Sequence, residues 1–219
     1  MILMLSNEMI KQAAFSDPDD QFQARLVEAI QVEVATMRAD PESHKIAPLK
    51  LETEGGWTVR SNRFWDSADG TFLMNTVSQF VSHICSQPVV HIRDRWANVM
   101  EASKGWYSAP HSHSNADIAV VYQFSGDVSD TPKGRLQLID PRLPGCCPRP
   151  EYVTAALTPK MKAGGVIAFP GFITHWVSPY IGSQDRITLA FNVGFGPPTN
   201  LPNRDLEEIV DLGRKQINS

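Results

Sequence analysis

The sequence has little of what marks several large classes of protein. Its 219 residues include only three cysteines, Cys85, Cys146 and Cys147, and the last two are neighbours that rarely pair because the disulfide would be strained. This does not fit a disulfide framework, so we expect a cytoplasmic protein. No apolar run approaches the ~20 residues of a membrane span, and the apolar start MILMLSNEMIKQ lacks a basic secretion-signal segment. We therefore expect no membrane partner.

Positive charge is also scarce. The 20 lysines and arginines are outnumbered by 24 aspartates and glutamates, giving a net charge of −4, and no basic run stands out. Nucleic-acid binding depends on clustered positive charge, so we expect no nucleic-acid partner. A glycine-rich dinucleotide fingerprint is absent as well, and nothing in the sequence calls for a flavin or a nicotinamide cofactor.

Two amphipathic helices are predicted in the first part of the chain. The segment SDPDDQFQARLVEAIQVEVATMRAD, residues 16–40, places apolar residues at helical spacing after Asp and Pro signals that favour a helix start. A second apolar stripe runs through SADGTFLMNTVSQFVSHICSQ, residues 67–87. Two helices cannot form a core of this size alone, so we expect them to cover another layer. An exposed face on either helix could pair two chains as a homodimer.

From about residue 87 the pattern changes to short β-forming runs separated by turn residues. The runs are PVVHIRDRWANVM, IAVVYQFSG, GRLQLIDPR, EYVTAALTP, GGVIAFPG, THWVSPYIG and DRITLAFNVGF. Such a series indicates a β-sandwich or barrel. We predict a mainly β fold with flanking helices in one domain, residues 1–219. It has a helical part at about 1–86, a β core at about 87–196 and a final helix in LPNRDLEEIVDLGRKQ.

Three features of the β-rich half carry chemistry. His111 and His113 are two residues apart, a spacing that puts both side chains on one face of a strand, and His175 follows much later. Imidazole suits iron(II), and three ligands on one face leave the opposite positions free. Arg186 and Thr188 share a face of a late strand, where a guanidinium could hold a carboxylate bidentately.

In this order the residues resemble a known family. The segment WANVMEASKGWYSAPHSHSN, a Tyr-containing strand, an Asp-Pro-Arg turn and a Phe-Pro…His-x-Val-x-Pro segment followed by Arg and Phe-Asn are similar to 2-oxoglutarate/iron(II) oxygenases of bacteria and phages. The resemblance covers about residues 90–195. Its positions are Trp96, Asn98, His111, His113, Tyr122, Asp140, Pro141, Arg142, Phe169, Pro170, His175, Val177, Pro179, Arg186, Phe191 and Asn192. It implies a double-stranded β-helix, or jelly roll.

The third iron ligand is left open. His113 occupies the position where the wider superfamily has a carboxylate. Three sets are compatible with the sequence: His111, His113 and His175 together; Asp117 as the carboxylate, brought back by a turn through residues 114–116; or two histidines with water. The resemblance implies no catalytic side chain beyond the metal ligands.

The resemblance implies an iron(II)- and 2-oxoglutarate-dependent dioxygenase that hydroxylates a small molecule or a peptide with O₂. Arg186, assisted by Thr188 and by Tyr122 or Asn98, would bind the far carboxylate of 2-oxoglutarate. One alternative is a three-histidine, cupin-like dioxygenase that does not use 2-oxoglutarate. Another is a noncatalytic jelly-roll module that binds a small ligand.

The prime substrate cannot be read from the sequence, because such pockets are built from variable loops. We expect those loops at residues 44–68 and 127–150. The tryptophans Trp96, Trp106 and Trp176 are predicted to be core residues more than substrate contacts, although the last two are near proposed ligands in sequence.

Overall fold

A computed structural model describes residues 10–40, 55–60, 62–87, 90–126, 134–139 and 156–196 of the chain. Its helices are α1 (Phe22–Ala39), α2 (Asn62–Trp65) and α3 (Ala68–Cys85). Its strands are β1 (Lys11–Ala14), β2 (Trp57–Val59), β3 (Val90–Met100), β4 (Trp106–His111), β5 (Ile118–Ser125), β6 (Leu136–Ile139), β7 (Ala156–Leu157), β8 (Gly165–Pro170), β9 (His175–Tyr180) and β10 (Arg186–Phe195).

The two long helices form where the apolar periodicity predicts them. The stripe of α1 is buried at Phe22, Leu26, Ile30 and Val34, and each such side chain contributes roughly 1.5–3 kcal/mol by leaving water. Helix α3 has an N-cap at Ser67, whose side chain accepts a hydrogen bond from the Gly70 N–H. No helix of the described residues is long and apolar enough to cross a membrane.

The strands form two antiparallel sheets. A six-stranded sheet has the order β1-β8-β5-β10-β3-β2, and a four-stranded sheet has the order β4-β9-β6-β7. The helices cover one face of the larger sheet, where a core containing Leu26, Val77 and Phe191 is buried. The smaller sheet covers the other face, where Leu138, Ile167 and Phe169 lie in a second buried cluster. The fold is therefore mainly β with flanking helices, as predicted.

The first part of the chain is less purely helical than predicted. Strand β1 pairs with β8 from Lys11↔Ala168 to Ala14↔Gly165, and β2 pairs with β3. Both are short edge strands that depend on their partners for hydrogen bonds. The predicted final helix, the turn at residues 140–142, Cys146 and Cys147 lie outside the described residues, as do residues 44–54 of the first predicted substrate loop and most of the second, residues 127–150. The described part of the first loop is not a loop throughout, because it contains β2, α2 and the start of α3.

Strand β10 is the centre of the larger sheet and is buried on both faces. Ile187, Leu189 and Phe191 point into the core beneath the helices. By alternation, Arg186, Thr188 and the residues that follow at every second position face the smaller sheet. This places a charged and several polar side chains between the two sheets, where the site lies.

Candidate active site

The three histidines reach the space between the sheets from two strands and a turn. His111 ends β4 and His175 begins β9, and the two residues are register partners in the smaller sheet. His113 lies just beyond β4, at the start of the turn that leads to β5. The ends of two paired strands therefore bring together residues that are far apart in sequence.

Backbone hydrogen bonds fix the turn that carries His113. The His113 N–H donates to the carbonyl of Gly171 at 2.8 Å, and the Gly171 N–H donates to the carbonyl of Asp117 at 3.0 Å. A Cβ on Gly171 would lie 2.2 Å from the Ala116 carbonyl oxygen, so this position requires glycine. The close approach holds the turn against the connection that leads into His175.

The imidazoles converge on one point. One ligand atom from each of His111, His113 and His175 lies within 4.8 Å of the others. His111 Nδ1 is 2.7 Å from the Ala109 carbonyl oxygen, and His175 Nδ1 is 2.9 Å from the Ile173 carbonyl oxygen. A carbonyl only accepts, so both Nδ1 atoms carry the proton and both Nε2 lone pairs are free to bind a metal.

Burial keeps two of these rings neutral. It lowers the pKa of His175 to about 3, with the neighbouring His111 as a further cause, and the pKa of His113 to about 4 by burial and then by His111. Neutral imidazole is the form that binds metal, so neither ring has to lose the extra proton of an imidazolium at pH 7 before a metal binds.

Asp117 is not part of this cluster. Its carboxylate Oδ2 accepts hydrogen bonds from the Phe195 N–H at 2.8 Å and from Arg93 Nη2 at 3.2 Å, and the side chain is 44% exposed. Among the described residues the cluster holds the three histidines and no carboxylate. The turn through residues 114–116 thus directs Asp117 toward the end of β10, away from the imidazoles.

A cavity joins the histidines to the predicted cosubstrate residues. The space that it encloses together with its open mouth is about 640 Å³. We call His111, His113 and His175 the histidine end of this cavity. We call Asn98, Arg186 and Thr188, which also line it, the arginine end. The structure thereby brings six of the seven favoured site residues into one cavity.

The arginine end is polar and almost fully enclosed. Arg186 is 2% exposed, and its Nε has no hydrogen-bond partner among the described residues. Burial lowers the pKa of Arg186 to about 10, which still leaves the guanidinium charged at pH 7. Thr188 is the register partner of Asn98, whose Oδ1 lies 3.4 Å from Thr58 Oγ1. A buried guanidinium with an unused donor is suited to an anion.

The prediction for Tyr122 was wrong. Its ring is fully buried beneath the helices, stacked on Phe15 at 5.6 Å, and its hydroxyl accepts a hydrogen bond from Gln23 Nε2 at 2.7 Å. Residues 118, 120, 122 and 124 of β5 pack in the helix-covered core, so Tyr122 is on the opposite face of the sheet from the cavity.

Asn192 and Trp96 are among the cavity residues that received no site role from the sequence. Asn192 is 3% exposed, with Nδ2 donating to Asn115 Oδ1 at 2.9 Å and Oδ1 without a partner among the described residues. Trp96 packs against His113, with ring centroids 5.6 Å apart. Period-two alternation along β10 already predicts that Asn192 lies on the same face as Arg186. No local pattern in the sequence predicts that Trp96 packs against His113.

Comparison with known families gives a match in the β-rich part of the chain. Residues 94–192 match the model of a family described as "putative 2OG-Fe(II) oxygenase". This range spans both ends of the cavity. A search among curated proteins returned no significant match.

Solved structures share the fold at low identity. A prolyl-4-hydroxylase from Pseudomonas putida aligns with a TM-score of 0.54 and 14% identity over 86% of this chain and 94% of its own. AviO1 from Streptomyces viridochromogenes aligns with a TM-score of 0.60 and 12% identity, and the alignment covers 88% of this chain and 92% of AviO1. HygX from Streptomyces hygroscopicus was solved with nickel and 2-oxoglutarate bound. It aligns with a TM-score of 0.53 and 10% identity, and the alignment covers 85% of this chain and 83% of HygX. At these identities the likeness shows the jelly-roll fold.

Proposed function

We propose that this chain, whose residues 94–192 match the model of a putative 2OG-Fe(II) oxygenase family, is a dioxygenase of that kind and hydroxylates a small molecule or a peptide side chain. One observation carries the proposal. Three imidazoles and a buried guanidinium face the same cavity, as a metal and a dicarboxylate bound side by side would require.

His111, His113 and His175 are the proposed iron ligands. Their nitrogen donor set suits iron(II), and two of the rings present Nε2 lone pairs through fixed tautomers. When bound, iron(II) supplies the activation of O₂, which is coupled to conversion of 2-oxoglutarate to succinate and CO₂ and of a substrate C–H to C–OH. With three neutral ligands the metal keeps its full +2 charge, which favours a dianionic cosubstrate.

Arg186 is the proposed partner of the cosubstrate's far carboxylate. Its unused Nε–H and its positive charge lie in a site that excludes water, where a charge-assisted hydrogen bond is strong. Thr188, two residues along the same face, supplies a hydroxyl donor. The Oδ1 of Asn98 lies near Thr58, which leaves its Nδ2 to donate to the carboxylate. Together they orient the dicarboxylate between Arg186 and the histidines.

The three-histidine dioxygenase that ignores 2-oxoglutarate is supported by the absence of a carboxylate in the described cluster. Arg186 favours the main proposal, because direct binding of a substrate to the metal gives no role to a buried cation at the other end of the cavity.

The first test measures cosubstrate binding and turnover. Protein purified without a tag and loaded anaerobically with iron(II) should develop a weak visible charge-transfer band on addition of 2-oxoglutarate. Air should then yield succinate, and candidate amino acids and peptides are screened for stimulating it. An iron-loaded protein that neither forms the band nor produces succinate would contradict 2-oxoglutarate dependence and favour the rival.

A second test decides the ligand set. We expect His113→Ala to lose stoichiometric iron and Asp117→Ala to retain it, because the Asp117 carboxylate is bound by Arg93 and the Phe195 N–H. The opposite pattern would make Asp117 the ligand. If both variants retain iron, the ligand set is His111 and His175 with water.

A further inference from the structure

The three histidine rings are not held in the same way. A backbone carbonyl two residues earlier accepts the Nδ1–H of His111 and of His175. Among the described residues, no carbonyl accepts from His113 in this way. Its Nε2 lies 3.2 Å from His175 Nε2, and because the latter is an acceptor, His113 donates that proton in the metal-free protein. His113 therefore needs another means of fixing its ring plane.

An aromatic face takes the place of the missing carbonyl. The rings of Trp96 and His113 are stacked, with centroids 5.6 Å apart and planes inclined by 30°. Stacking fixes the plane of the imidazole without using either ring nitrogen, so His113 can shift its proton from Nε2 to Nδ1 and present the Nε2 lone pair to a metal. Trp96 is only 6% exposed and belongs to β3, a long strand paired to the centre of the sheet.

The indole is itself held in position. The Arg60 guanidinium lies over the Trp96 ring, 4.8 Å from its centroid, and Arg60 Nη1 donates to Asp94 Oδ2 at 2.7 Å. Asp94 precedes Trp96 by two residues on β3. A cation over an indole and a nearby ion pair limit the movement of that ring.

We propose that Trp96 is a positioning residue, whose indole face fixes the ring of His113 for metal binding as the backbone carbonyls fix His111 and His175. The inference rests on the proposed iron site. It assigns a role in metal affinity to a residue that does not contact the metal.

The test is a titration of tag-free protein with cobalt(II). Calorimetry measures the cobalt affinity, and the visible spectrum of the bound ion reports its coordination. Loss of a partner that orients a ligand costs roughly 10- to 100-fold in metal affinity, and we expect about 10-fold weaker binding and an altered spectrum for Trp96→Leu. Trp96→Phe, which keeps an aromatic face, should restore most of the affinity. If Trp96→Leu fails to fold, Trp96→Met replaces it under the same criteria.

Two controls separate positioning from general destabilisation. Trp176→Leu removes a tryptophan adjacent in sequence to His175 but on the opposite face of β9, and it should change cobalt affinity less than twofold. In a His113→Ala background, Trp96→Leu should cause no additional loss. Equal loss in both backgrounds, or unchanged affinity in Trp96→Leu alone, would overturn the positioning role. Failure of the wild-type protein to bind cobalt would instead contradict the iron site.

Discussion

The histidine end and the arginine end of the cavity differ in how their polar atoms are satisfied. At the histidine end, two rings already donate to backbone carbonyls and burial keeps His113 and His175 neutral. At the arginine end, a charged guanidinium is 2% exposed and its Nε has no partner among the described residues. The first end is organised before a ligand arrives, whereas the second keeps a donor that, among the described residues, has no acceptor and that an anion would fill.

Their origins in the fold differ as well. The histidine end belongs mainly to the smaller sheet and its connections, and local backbone groups orient the rings. The arginine end lies on β10 and β3, in the middle of the larger sheet, and long-range strand pairing positions it. Changes at the two ends should consequently have different effects on binding and on stability.

The largest expected effect is loss of the metal in His175→Ala. His175 is 5% exposed and supplies a ligand through a fixed tautomer, so we expect cobalt(II) affinity to fall by more than the roughly 100-fold that loss of an outer partner can cost. His83→Ala, an exposed histidine of α3, is the matched control and should bind normally. Tight binding by His175→Ala would show that the histidine end is not the metal site.

Arg186→Met should have opposite effects on cosubstrate binding and on stability. Loss of a charged hydrogen-bond donor should weaken 2-oxoglutarate binding by about 10- to 100-fold in titrations of the metal-loaded protein. The cosubstrate-free protein should become more stable by about 1 kcal/mol, because the change removes, at similar volume, a buried charge whose Nε has no partner among the described residues. The stability change is measured by urea unfolding.

Arg186→Lys separates charge from shape at the same position. It keeps a cation but not the planar fork, so we expect weaker cosubstrate binding without the gain in stability. Arg186→Met could instead lower the stability of the cosubstrate-free protein. That result would mean that the guanidinium is already stabilised without an anion, and that the two ends do not differ in how their polar atoms are satisfied.

Acid should destabilise the metal-free protein through the histidine end. The pKa of His175 is about 3 in the folded protein against 6.5 for an unperturbed histidine, so the unfolded chain binds more protons between these values. Stability should fall as pH drops from about 6.5 toward 3, by roughly 2 kcal/mol between pH 7 and 5 for His175 and less for the more exposed His113. Urea unfolding at both pH values measures this loss.

The pH effect has its own internal control. His175→Asn removes the titrating group, so the loss between pH 7 and 5 should be smaller in that variant than in the wild type. His83→Asn should leave the loss unchanged, because this histidine is exposed. An identical pH dependence in all three proteins would mean that the histidine end is not kept neutral by burial.

Much of the site follows from period-two alternation in the sequence. The spacing of Arg186 and Thr188 on one strand is enough to predict a shared face, and both line the cavity. The His111 and His113 pair is also visible, but β4 ends at His111, so a turn and not a continued strand brings His113 to the cluster. The tautomers of the rings depend on backbone carbonyls that only the folded chain reveals.

The rest depends on which face of a strand meets which layer. Both faces of β5 are apolar, since Ala119 and Val121 alternate with Val120 and Phe124, and the sequence does not show which set faces the helices. That ambiguity produced the wrong role for Tyr122. Strand β1, with the sequence KQAA, has no strand pattern of its own and exists through pairing with β8.

The smallest effect is expected from Tyr122→Phe, which tests the assignment of faces at the arginine end. The change removes the hydroxyl that accepts from Gln23 Nε2, and we expect a loss of about 1 kcal/mol in the free energy of unfolding. Binding of 2-oxoglutarate should stay within twofold of wild type, because the ring lies under the helices with the sheet between it and Arg186. If Tyr122→Phe binds 2-oxoglutarate much more weakly but has the wild-type free energy of unfolding, Tyr122 lines the cavity after all. That result would also mean that β5 presents its other face to the site.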